Sequence, residues 1–216
     1  MEPIITEIPN QNPIELISYY ECFKELYRKC ELETKEWFVH NIKDGWCIFD
    51  CGANIGYYSI LFSRLSPNGR IHAFEPTSTI HMLAENLRYN NIHNVTMVNK
   101  ALGVRSGLCE ENVYRIWGQQ PELRPYPFIT IDEYVAMNSI DRVDCMKIDV
   151  DSFDFDVLRG SERTLLYHNP YVVVELNHAL GKRGQTVEQA LIWLATLNYN
   201  RYLLLDNENY VFKRDY

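Results

Sequence analysis

The chain has 216 residues, of which 46% are hydrophobic and 23% are charged, values typical of one globular domain. Its net charge of -8 and pI of about 5.3 would repel a nucleic-acid backbone, and no basic patch interrupts this acidic balance. No apolar run approaches the roughly 20 residues that a membrane span needs, and the polar N-terminus does not resemble a signal peptide. Six scattered cysteines without Cys-x-x-Cys spacing indicate reduced thiols, not a zinc site. We therefore expect a cytoplasmic protein that has no membrane span and binds no nucleic acid.

The N-terminal part of the chain is predicted to be helical. Residues 13–32 have apolar positions at helical spacing, and Pro13 suits the first turn of a helix. A second helix is expected to begin at Thr34 as its N-cap. We divide the chain into an N-terminal helical cover, residues 1–32, and a main unit, residues 33–216, which together form one compact domain.

The next segment predicts a strand, a glycine turn and a helix. An apolar run over residues 46–50 ends at Asp50, and a turn containing Gly52 and Gly56 follows at once. Residues 57–65 then place apolar side chains at helical spacing. This order is the first unit of an open α/β sheet, in which ligands bind beyond the carboxyl ends of the strands. We expect Gly52 to let the backbone approach a ligand without an intervening Cβ.

Two acidic residues indicate which ligand binds there. Only Gly52 and Gly56 stand where a dinucleotide fingerprint would have three glycines, and Asp50 would repel a pyrophosphate. A carboxylate at that place suits a ligand with an ammonium group. The second strand, residues 70–74, ends at Glu75, the position that typically binds ribose hydroxyls. The pair Asp50 and Glu75 therefore predicts S-adenosylmethionine and disfavours an NAD-linked oxidoreductase.

The third strand is expected over residues 94–99, and the adenine ring would lie at its end, beside Ala101. The predicted cofactor-binding residues are Asp50, Cys51, Gly52, Ala53, Asn54, Gly56, Tyr57, Glu75, Pro76, Ala101 and Asp149.

Residues 109–126 form a long segment with several aromatic residues and prolines and no helical pattern. Long loops in compact domains are usually functional or disordered. We interpret this segment as a wall of the acceptor site, on which Trp117 could stack against a sugar ring. A surface hairpin without a binding role is the alternative.

The last two parallel strands end in acidic residues. Residues 143–151 are predicted to form a strand that runs into Asp149 and Asp151, and residues 171–175 form one that ends at Glu175. His178 follows three residues later. Residues 185–197 are then predicted to form an amphipathic helix. Residues 202–205 and 210–212 are predicted to be two short apolar strands that form a hairpin.

These motifs in combination resemble the FkbM-type methyltransferases, which are class I S-adenosylmethionine-dependent enzymes. The residues that carry the resemblance are Asp50–Gly56, Phe74–Pro76, Asn86–Asn91, Ile131–Asp132, Met146–Asp151, Val157–Gly160 and Val174–Glu175. The resemblance extends from about Glu33 to the C-terminus. One departure is Asp151-Ser152, where the family usually has Glu-Gly.

The resemblance implies a single Rossmann-like α/β domain. Its sheet would be mostly parallel, with strand order 3-2-1-4-5 and a C-terminal antiparallel hairpin. It also implies transfer of a methyl group to a hydroxyl, because family members are O-methyltransferases that act on small molecules and sugars.

In that strand order the fourth and fifth strands are neighbours, so their acidic ends would surround one cleft. We predict His178 as the base, because its pKa range suits proton removal near neutral pH. Glu175 would orient His178 or the acceptor, and Asp149 would lie close to the sulfonium. A carboxylate could serve as the base instead. Asp149, Asp151 and Glu175 could also hold a Mg²⁺ ion that lowers the pKa of the acceptor hydroxyl.

The sequence therefore predicts methylation of a hydroxyl, most simply on a sugar in a glycan or a glycosylated metabolite. The alternatives are a non-sugar small-molecule acceptor and a binding module that keeps S-adenosylmethionine without catalysis.

Overall fold

The structure is a computed structural model that describes residues 3–23, 27, 30–114 and 120–214. Its strands, in chain order, are β1 (Ile4–Thr6), β2 (Ile14–Leu16), β3 (Cys47–Cys51), β4 (Arg70–Phe74), β5 (Val95–Val98), β6 (Ala101–Leu102), β7 (Gly107–Val113), β8 (Glu122–Ile129), β9 (Cys145–Ile148), β10 (Tyr171–Glu175), β11 (Tyr202–Leu205) and β12 (Asn209–Phe212). Its α-helices are α1 (Leu32–Asn41), α2 (Tyr57–Leu65), α3 (Ile80–Tyr89), α4 (Ile131–Met137), α5 (Asp154–Arg159), α6 (Glu162–His168) and α7 (Val187–Thr196). A 3-10 helix covers His178–Arg183.

The main sheet has seven strands in the order β5-β4-β3-β9-β10-β12-β11. The first five are parallel and have the predicted order 3-2-1-4-5. Strand β12 pairs antiparallel with β10, and β11 pairs antiparallel with β12, which is the predicted C-terminal hairpin. The predicted fold class is therefore confirmed. All parallel strands end at one edge, so the residues that follow β3, β4, β9 and β10 lie close together.

Helices cover both faces of this sheet, and each face has its own apolar core. Every residue of β3 and of β9 is buried, as expected for central strands between two helical layers. On one face, Ile48 packs with Phe62 of α2 and Leu83 of α3. On the other, Phe49 packs with Leu158 and Leu194 from the C-terminal half. These two cores hold the strand ends in fixed register.

The predicted helix over residues 13–32 is wrong in its first part. Residues 14–16 form strand β2, which pairs antiparallel with β1. Ile14 and Leu16 are fully buried and Glu15 is exposed, so the period of two that is typical of a strand governs this stretch. Thr34 is also not an N-cap: it lies inside α1, which Glu31 precedes as the N-cap residue.

Residues 109–126 belong mainly to a hairpin. Strands β7 and β8 pair antiparallel from Gly107↔Phe128 to Val113↔Glu122, and β6 pairs parallel with β8. The hairpin is the alternative that the sequence analysis kept open, and its role in acceptor binding stays a prediction. Trp117, predicted to stack on a sugar, lies outside the described residues.

Across residues 3–23, 27, 30–114 and 120–214, no helix is long and apolar enough to cross a membrane.

Candidate active site

A cavity of about 420 Å³ opens at the carboxyl edge of the parallel strands. It is lined by Phe23, Tyr27, Cys30, Glu31, Asp50, Gly52, Ala53, Asn54, Tyr57, Tyr58, Glu75, Pro76, Val113, Tyr114, Lys147, Asp149, Val150, Asp151, Glu175, Asp206 and Glu208.

The turn after β3 is held by backbone contacts on two sides. The N–H groups of Gly52 and Ala53 both donate to the carbonyl oxygen of Phe74, at 3.1 and 2.9 Å. Gly52 has φ +94°, and a Cβ there would lie 1.8 Å from the carbonyl oxygen of Asp149. The glycine is therefore required by the close approach of the turn to the end of β9. Gly52 also lines the cavity, and access for a ligand, the reason predicted from the sequence, stays a prediction.

Asp50 is a buried carboxylate at the base of the cavity. Its Oδ2 accepts a hydrogen bond from the Ser59 hydroxyl at 2.5 Å, and its side chain is 1% exposed. Burial raises the pKa of Asp50 to about 6, while the nearby ammonium of Lys147 opposes this shift. A cationic ligand would favour the ionised form of Asp50 just as the Lys147 ammonium does. The ammonium group of S-adenosylmethionine, which the sequence predicts to bind Asp50, is such a cation.

Glu75 organises the end of β4 and keeps one acceptor position free. Its Oε2 accepts from the backbone N–H of Asn54 at 3.0 Å. Its Oε1 accepts from both the N–H and the hydroxyl of Thr77, at 2.7 and 2.6 Å. Burial raises the pKa of Glu75, and these hydrogen bonds oppose the shift. Since each carboxylate oxygen accepts about two hydrogen bonds, Oε2 can still accept a ribose hydroxyl. The buried Oδ1 of Asn54 also has no partner among the described residues.

A smaller cavity of about 30 Å³ adjoins the first at the end of β5. It is lined by Gly52, Phe74, Pro76, Lys100, Ala101, Leu102, Val113, Phe128, Val150 and Phe153. The predicted contact Ala101 lies here. Cys51 and Gly56 line neither cavity: Cys51 is buried in β3, and a Cβ on Gly56 would lie 2.5 Å from Leu83 of α3. Gly56 therefore serves helix packing.

Lys147 is a functional candidate that the sequence analysis missed. Its side chain is 1% exposed, its Nζ lies 2.7 Å from Oδ2 of Asp149, and it sits 4.4 Å from the centre of the Tyr58 ring. Burial alone would lower the pKa of Lys147, but the carboxylates of Asp149, Glu31 and Asp50 outweigh burial and raise it. The signal was a lone charge inside the apolar strand Cys145–Ile148.

Glu31 was missed as well, and it brings a carboxylate from the N-terminal segment into the cavity. It precedes α1 with φ +49°, an uncommon conformation for a residue with a side chain. Its two carboxylate oxygens accept from the Tyr58 hydroxyl and from Nδ2 of Asn209, each at 3.1 Å. Burial raises the pKa of Glu31, and Lys147 opposes the shift.

Asp151 and Glu175 line the cavity beyond the ends of β9 and β10. Burial, followed by repulsion from Asp149, raises the pKa of Asp151 to about 7 and that of Glu175 to about 10. Within the described part of the chain, neither carboxylate accepts a hydrogen bond. Asp151 also has φ +58°, an uncommon and strained conformation for a residue with a side chain. The structure therefore brings Asp149, Asp151 and Glu175 together, as predicted.

His178 is not brought to this cluster. It is the first residue of the 3-10 helix, its side chain is exposed, and it does not line the cavity. The side chain of Asn177 accepts from the N–H of Ala179 and donates to Glu208, which fixes the direction of the chain at this point. Among the residues that the structure describes, no three His, Cys, Asp or Glu side chains are arranged to hold a metal ion.

The sheet order and the two cavities define a class of protein. An open sheet of order 3-2-1-4-5 with an antiparallel hairpin, and acids at the ends of its first two strands, is the arrangement of class I S-adenosylmethionine-dependent methyltransferases. The methyltransferase FkbM domain matches residues 50–204, which is most of the chain. The protein therefore belongs to the FkbM methyltransferase family and uses S-adenosylmethionine as its cofactor.

Solved structures share this fold at low sequence identity. Methyltransferase FkbM from Methylobacillus flagellatus KT has a TM-score of 0.58 and 16% identity, over 80% of this chain and 44% of that one. The chain thus spans less than half the length of that protein. A precorrin-6y C5,15-methyltransferase from Geobacter metallireducens GS-15 has a TM-score of 0.56 and 15% identity, over 99% and 98%. A Streptococcus mutans protein in complex with SAH (S-adenosylhomocysteine) has a TM-score of 0.51 and 11% identity, over 86% and 98%.

At these identities the solved structures establish the fold, and their acceptors are properties of those proteins alone. No curated protein matches the chain.

Proposed function

We propose that the protein transfers a methyl group from S-adenosylmethionine to a hydroxyl of a sugar, in a glycan or a glycosylated metabolite. The observation that carries the proposal is the position of Asp149, Asp151 and Glu175, which line the same cavity as the cofactor residues Asp50 and Glu75. An aliphatic hydroxyl needs a base as its oxygen forms the new bond, and carboxylates beside the cofactor can provide one.

Each part of the site has a role in this reaction. When bound, S-adenosylmethionine supplies a methyl group from its sulfonium, so that an O–C bond forms, the C–S bond breaks and the electron pair remains on sulfur. Asp151 accepts the hydroxyl proton, because its pKa of about 7 is matched to neutral pH. Lys147 holds Asp149 in place through its 2.7 Å contact. Glu75 and Asp50 would hold the ribose and the ammonium group of the cofactor.

A sugar fits the remaining lining better than a nucleic acid does. Tyr27, Tyr58 and Tyr114 offer aromatic surface, and the carboxylates accept hydrogen bonds from hydroxyl groups. The phosphates of a nucleic acid would instead meet several carboxylates. Ribosomal RNA methylases from Clostridium thermocellum and Streptococcus thermophilus share the fold at 11% and 8% identity, which is too distant to transfer their acceptor. A non-sugar hydroxyl compound is the second candidate, since aromatic rings and carboxylates would bind it equally.

Transfer of an isotopically labelled methyl group tests the proposal. Labelled S-adenosylmethionine is incubated with a panel of sugars and glycosides, and the labelled position in the product is read by NMR. We expect the label on a hydroxyl oxygen. Label on nitrogen or carbon would contradict the proposal, and so would the absence of transfer to any hydroxyl compound. If transfer is absent while cofactor binding is intact, a non-catalytic binding module is favoured.

The same assay decides which residue is the base. We expect Asp151→Asn to lower kcat by about 10²–10⁴, the range for loss of general-base catalysis, without changing the Kd of S-adenosylhomocysteine. His178→Ala tests the base predicted from the sequence. If His178→Ala causes the large loss and Asp151→Asn does not, His178 is the base.

A further inference from the structure

The charges on the acceptor side of the cavity are unbalanced. Six carboxylates line this side, contributed by β9, β10, the β11–β12 turn and the N-terminal segment: Glu31, Asp149, Asp151, Glu175, Asp206 and Glu208. Lys147 is the only lysine or arginine among the described lining residues, and Asp149 already neutralises it at 2.7 Å. Lys35 attracts Glu31 and Asp206, and Lys182 attracts Asp151, so these two lysines offset part of the negative charge from outside the lining. The acceptor side still carries more carboxylates than cations, which favours a cationic acceptor over an anionic one.

A second, independent feature in the cavity also calls for a polar ligand. Tyr57 lines the cavity and is 1% exposed, yet its hydroxyl has no hydrogen-bond partner in the part of the chain that the structure describes. A buried hydroxyl without a partner costs free energy, which a ligand group can recover. The phenol oxygen can accept a hydrogen bond from an ammonium. The Lys35 ammonium already lies 5.0 Å from the centre of the Tyr57 ring, so the neighbouring ring of Tyr27, 5.6 Å away between centroids, is the aromatic surface left for a further cation.

The carboxylates differ in how far their acceptor positions are used. Both oxygens of Glu31 already accept a hydrogen bond, and Oε2 of Glu208 accepts one from Asn177. Glu175, at the end of β10, accepts none from the described residues. Asp151 also accepts none from these residues, but it is assigned to proton removal, so Glu175 is the carboxylate left to bind a donor on the acceptor molecule, with the charge of Glu31 as support.

From this geometry we infer that the acceptor carries an ammonium group besides the hydroxyl that is methylated, and that Glu175 binds this ammonium with electrostatic support from Glu31. The inference rests on the proposed function, because it names a subclass of the hydroxyl compounds proposed above: amino sugars and related amino alcohols. Phosphorylated and carboxylated sugars would be repelled.

The raised pKa of Glu175 is consistent with this assignment. Burial and repulsion from Asp149, Asp154 and Glu208 raise the pKa of Glu175, and Lys147 opposes this shift. An ammonium placed beside it favours the ionised form, so binding of the acceptor should release a proton. A neutral sugar should bind without this release.

Calorimetric titration of protein loaded with S-adenosylhomocysteine tests the inference, with three sugar probes that share a ring. The probes are glucosamine, N-acetylglucosamine and glucose 6-phosphate, at low salt and about pH 6.5, where a free amino group is protonated. We expect glucosamine to bind at least about tenfold more tightly than N-acetylglucosamine, since an opposite charge at contact distance contributes strongly when partly buried. Glucose 6-phosphate should bind most weakly.

Glu175→Gln and Glu31→Gln provide the comparison, because each removes one charge and keeps the shape. Glu175→Gln should abolish the preference for glucosamine, and Glu31→Gln should reduce it. Glu36→Gln is the matched control: Glu36 is exposed on α1 and outside the cavity, so its removal should leave the preference intact.

Three results would overturn the inference: no binding of glucosamine, equal binding of glucosamine and its N-acetyl form, or a preference that survives in both cavity variants. Failure of the proposed function is a separate result. If glucosamine binds selectively but labelled methyl is found on its nitrogen, or is not transferred at all, the ammonium site stands and O-methylation fails.

Discussion

The side of the cavity around Gly52 and Glu75 is the proposed cofactor wall, and the side around Asp151 and Glu175 is the proposed acceptor wall. The two walls differ in how completely their polar groups are paired. On the cofactor wall, Gly52 and Ala53 donate to one carbonyl of β4, and Glu75 accepts three hydrogen bonds from the turn and from Thr77. On the acceptor wall, Asp151 and Glu175 accept none from the described residues, although burial raises the pKa values of both.

This difference indicates two uses of polar groups. Paired groups fix the position of the backbone, so the cofactor wall can orient its ligand without rearranging. Unpaired, partly buried carboxylates cost stability and keep their acceptor positions for a substrate, which is the usual trade-off at catalytic sites. Mutations on the cofactor wall should therefore affect stability and cofactor binding together, and mutations on the acceptor wall should separate stability from activity.

The largest effect is expected at Gly52. Gly52→Ala would place a Cβ 1.8 Å from the Asp149 carbonyl oxygen, which forces apart the ends of β3 and β9. We expect the variant to lose measurable binding of S-adenosylhomocysteine and to have a lower Tm. Gly45→Ala is the control for backbone strain, because Gly45 has a similar φ of +83° and no atom within 4 Å of its Cβ position. The control should lose only about 1–2 kcal/mol of stability, the cost of a left-handed residue with a side chain. Equal effects in the two variants would refute the role of the close approach.

Glu75→Ala should have the next largest effect. Because a hydrogen bond to a charged group is lost, the binding of S-adenosylhomocysteine, measured by calorimetry, should weaken by about 1.5–3 kcal/mol. Thr77→Val separates direct contact from support of the turn, because it removes the hydroxyl donor to Glu75 and keeps the carboxylate. An equal loss in both variants would mean that Glu75 acts by holding the turn and not by binding ribose.

Most of the cofactor wall could be predicted from the sequence, because its signals are local. Asp50 ends an apolar run, Gly52 follows at once and Glu75 ends the next strand, so position along the chain implies position in the fold. The close approach of Gly52 to the carbonyl of Asp149 could not be predicted, since the two residues are distant in the sequence.

The acceptor wall was predicted less well, because it is assembled from separate segments. Glu31 reaches the cavity from the N-terminal segment and the β11–β12 turn contributes Asp206 and Glu208, contacts that no local pattern indicates. His178 follows Glu175 closely in the sequence, but the 3-10 helix leaves its side chain exposed. The segment over residues 14–16 was misread because three residues of a short strand fit a helical pattern as well.

Asp151→Asn should increase stability at high pH. The raised pKa of Asp151, about 7 in the folded protein against about 4 when unfolded, means that the folded state binds the proton more tightly. Stability from this group is present below about pH 4 and is lost as the pH rises towards 7. Asn cannot ionise, so the free energy of unfolding of the variant should exceed that of the wild type by about 1–2 kcal/mol at about pH 8. This value is reduced because Asp151 is partly exposed. At about pH 4 the two proteins should be equally stable. Thermal unfolding at both pH values measures this, and a gain at low pH only would contradict it.

Tyr114→Ala should have the smallest effect, and only the KM for the acceptor should change. Tyr114 lines the cavity from the end of the β7–β8 hairpin, with Nζ of Lys182 4.0 Å from its ring centre. Loss of the ring should raise the KM for the acceptor by about 2–12-fold, corresponding to about 0.5–1.5 kcal/mol, and leave cofactor affinity unchanged. Tyr167→Ala, at a 90% exposed position outside the cavity, is the control. A change in cofactor affinity alone would place the hairpin on the cofactor side.

A crystal structure with S-adenosylhomocysteine tests most directly whether the two walls belong to one active site. We predict that a ribose hydroxyl lies at hydrogen-bond distance, about 2.5–3.0 Å, from Oε2 of Glu75, and that the sulfur faces Asp149, Asp151 and Glu175 across open space for the acceptor. A ligand bound outside this cavity, or a sulfur that faces away from the three carboxylates, would contradict the account.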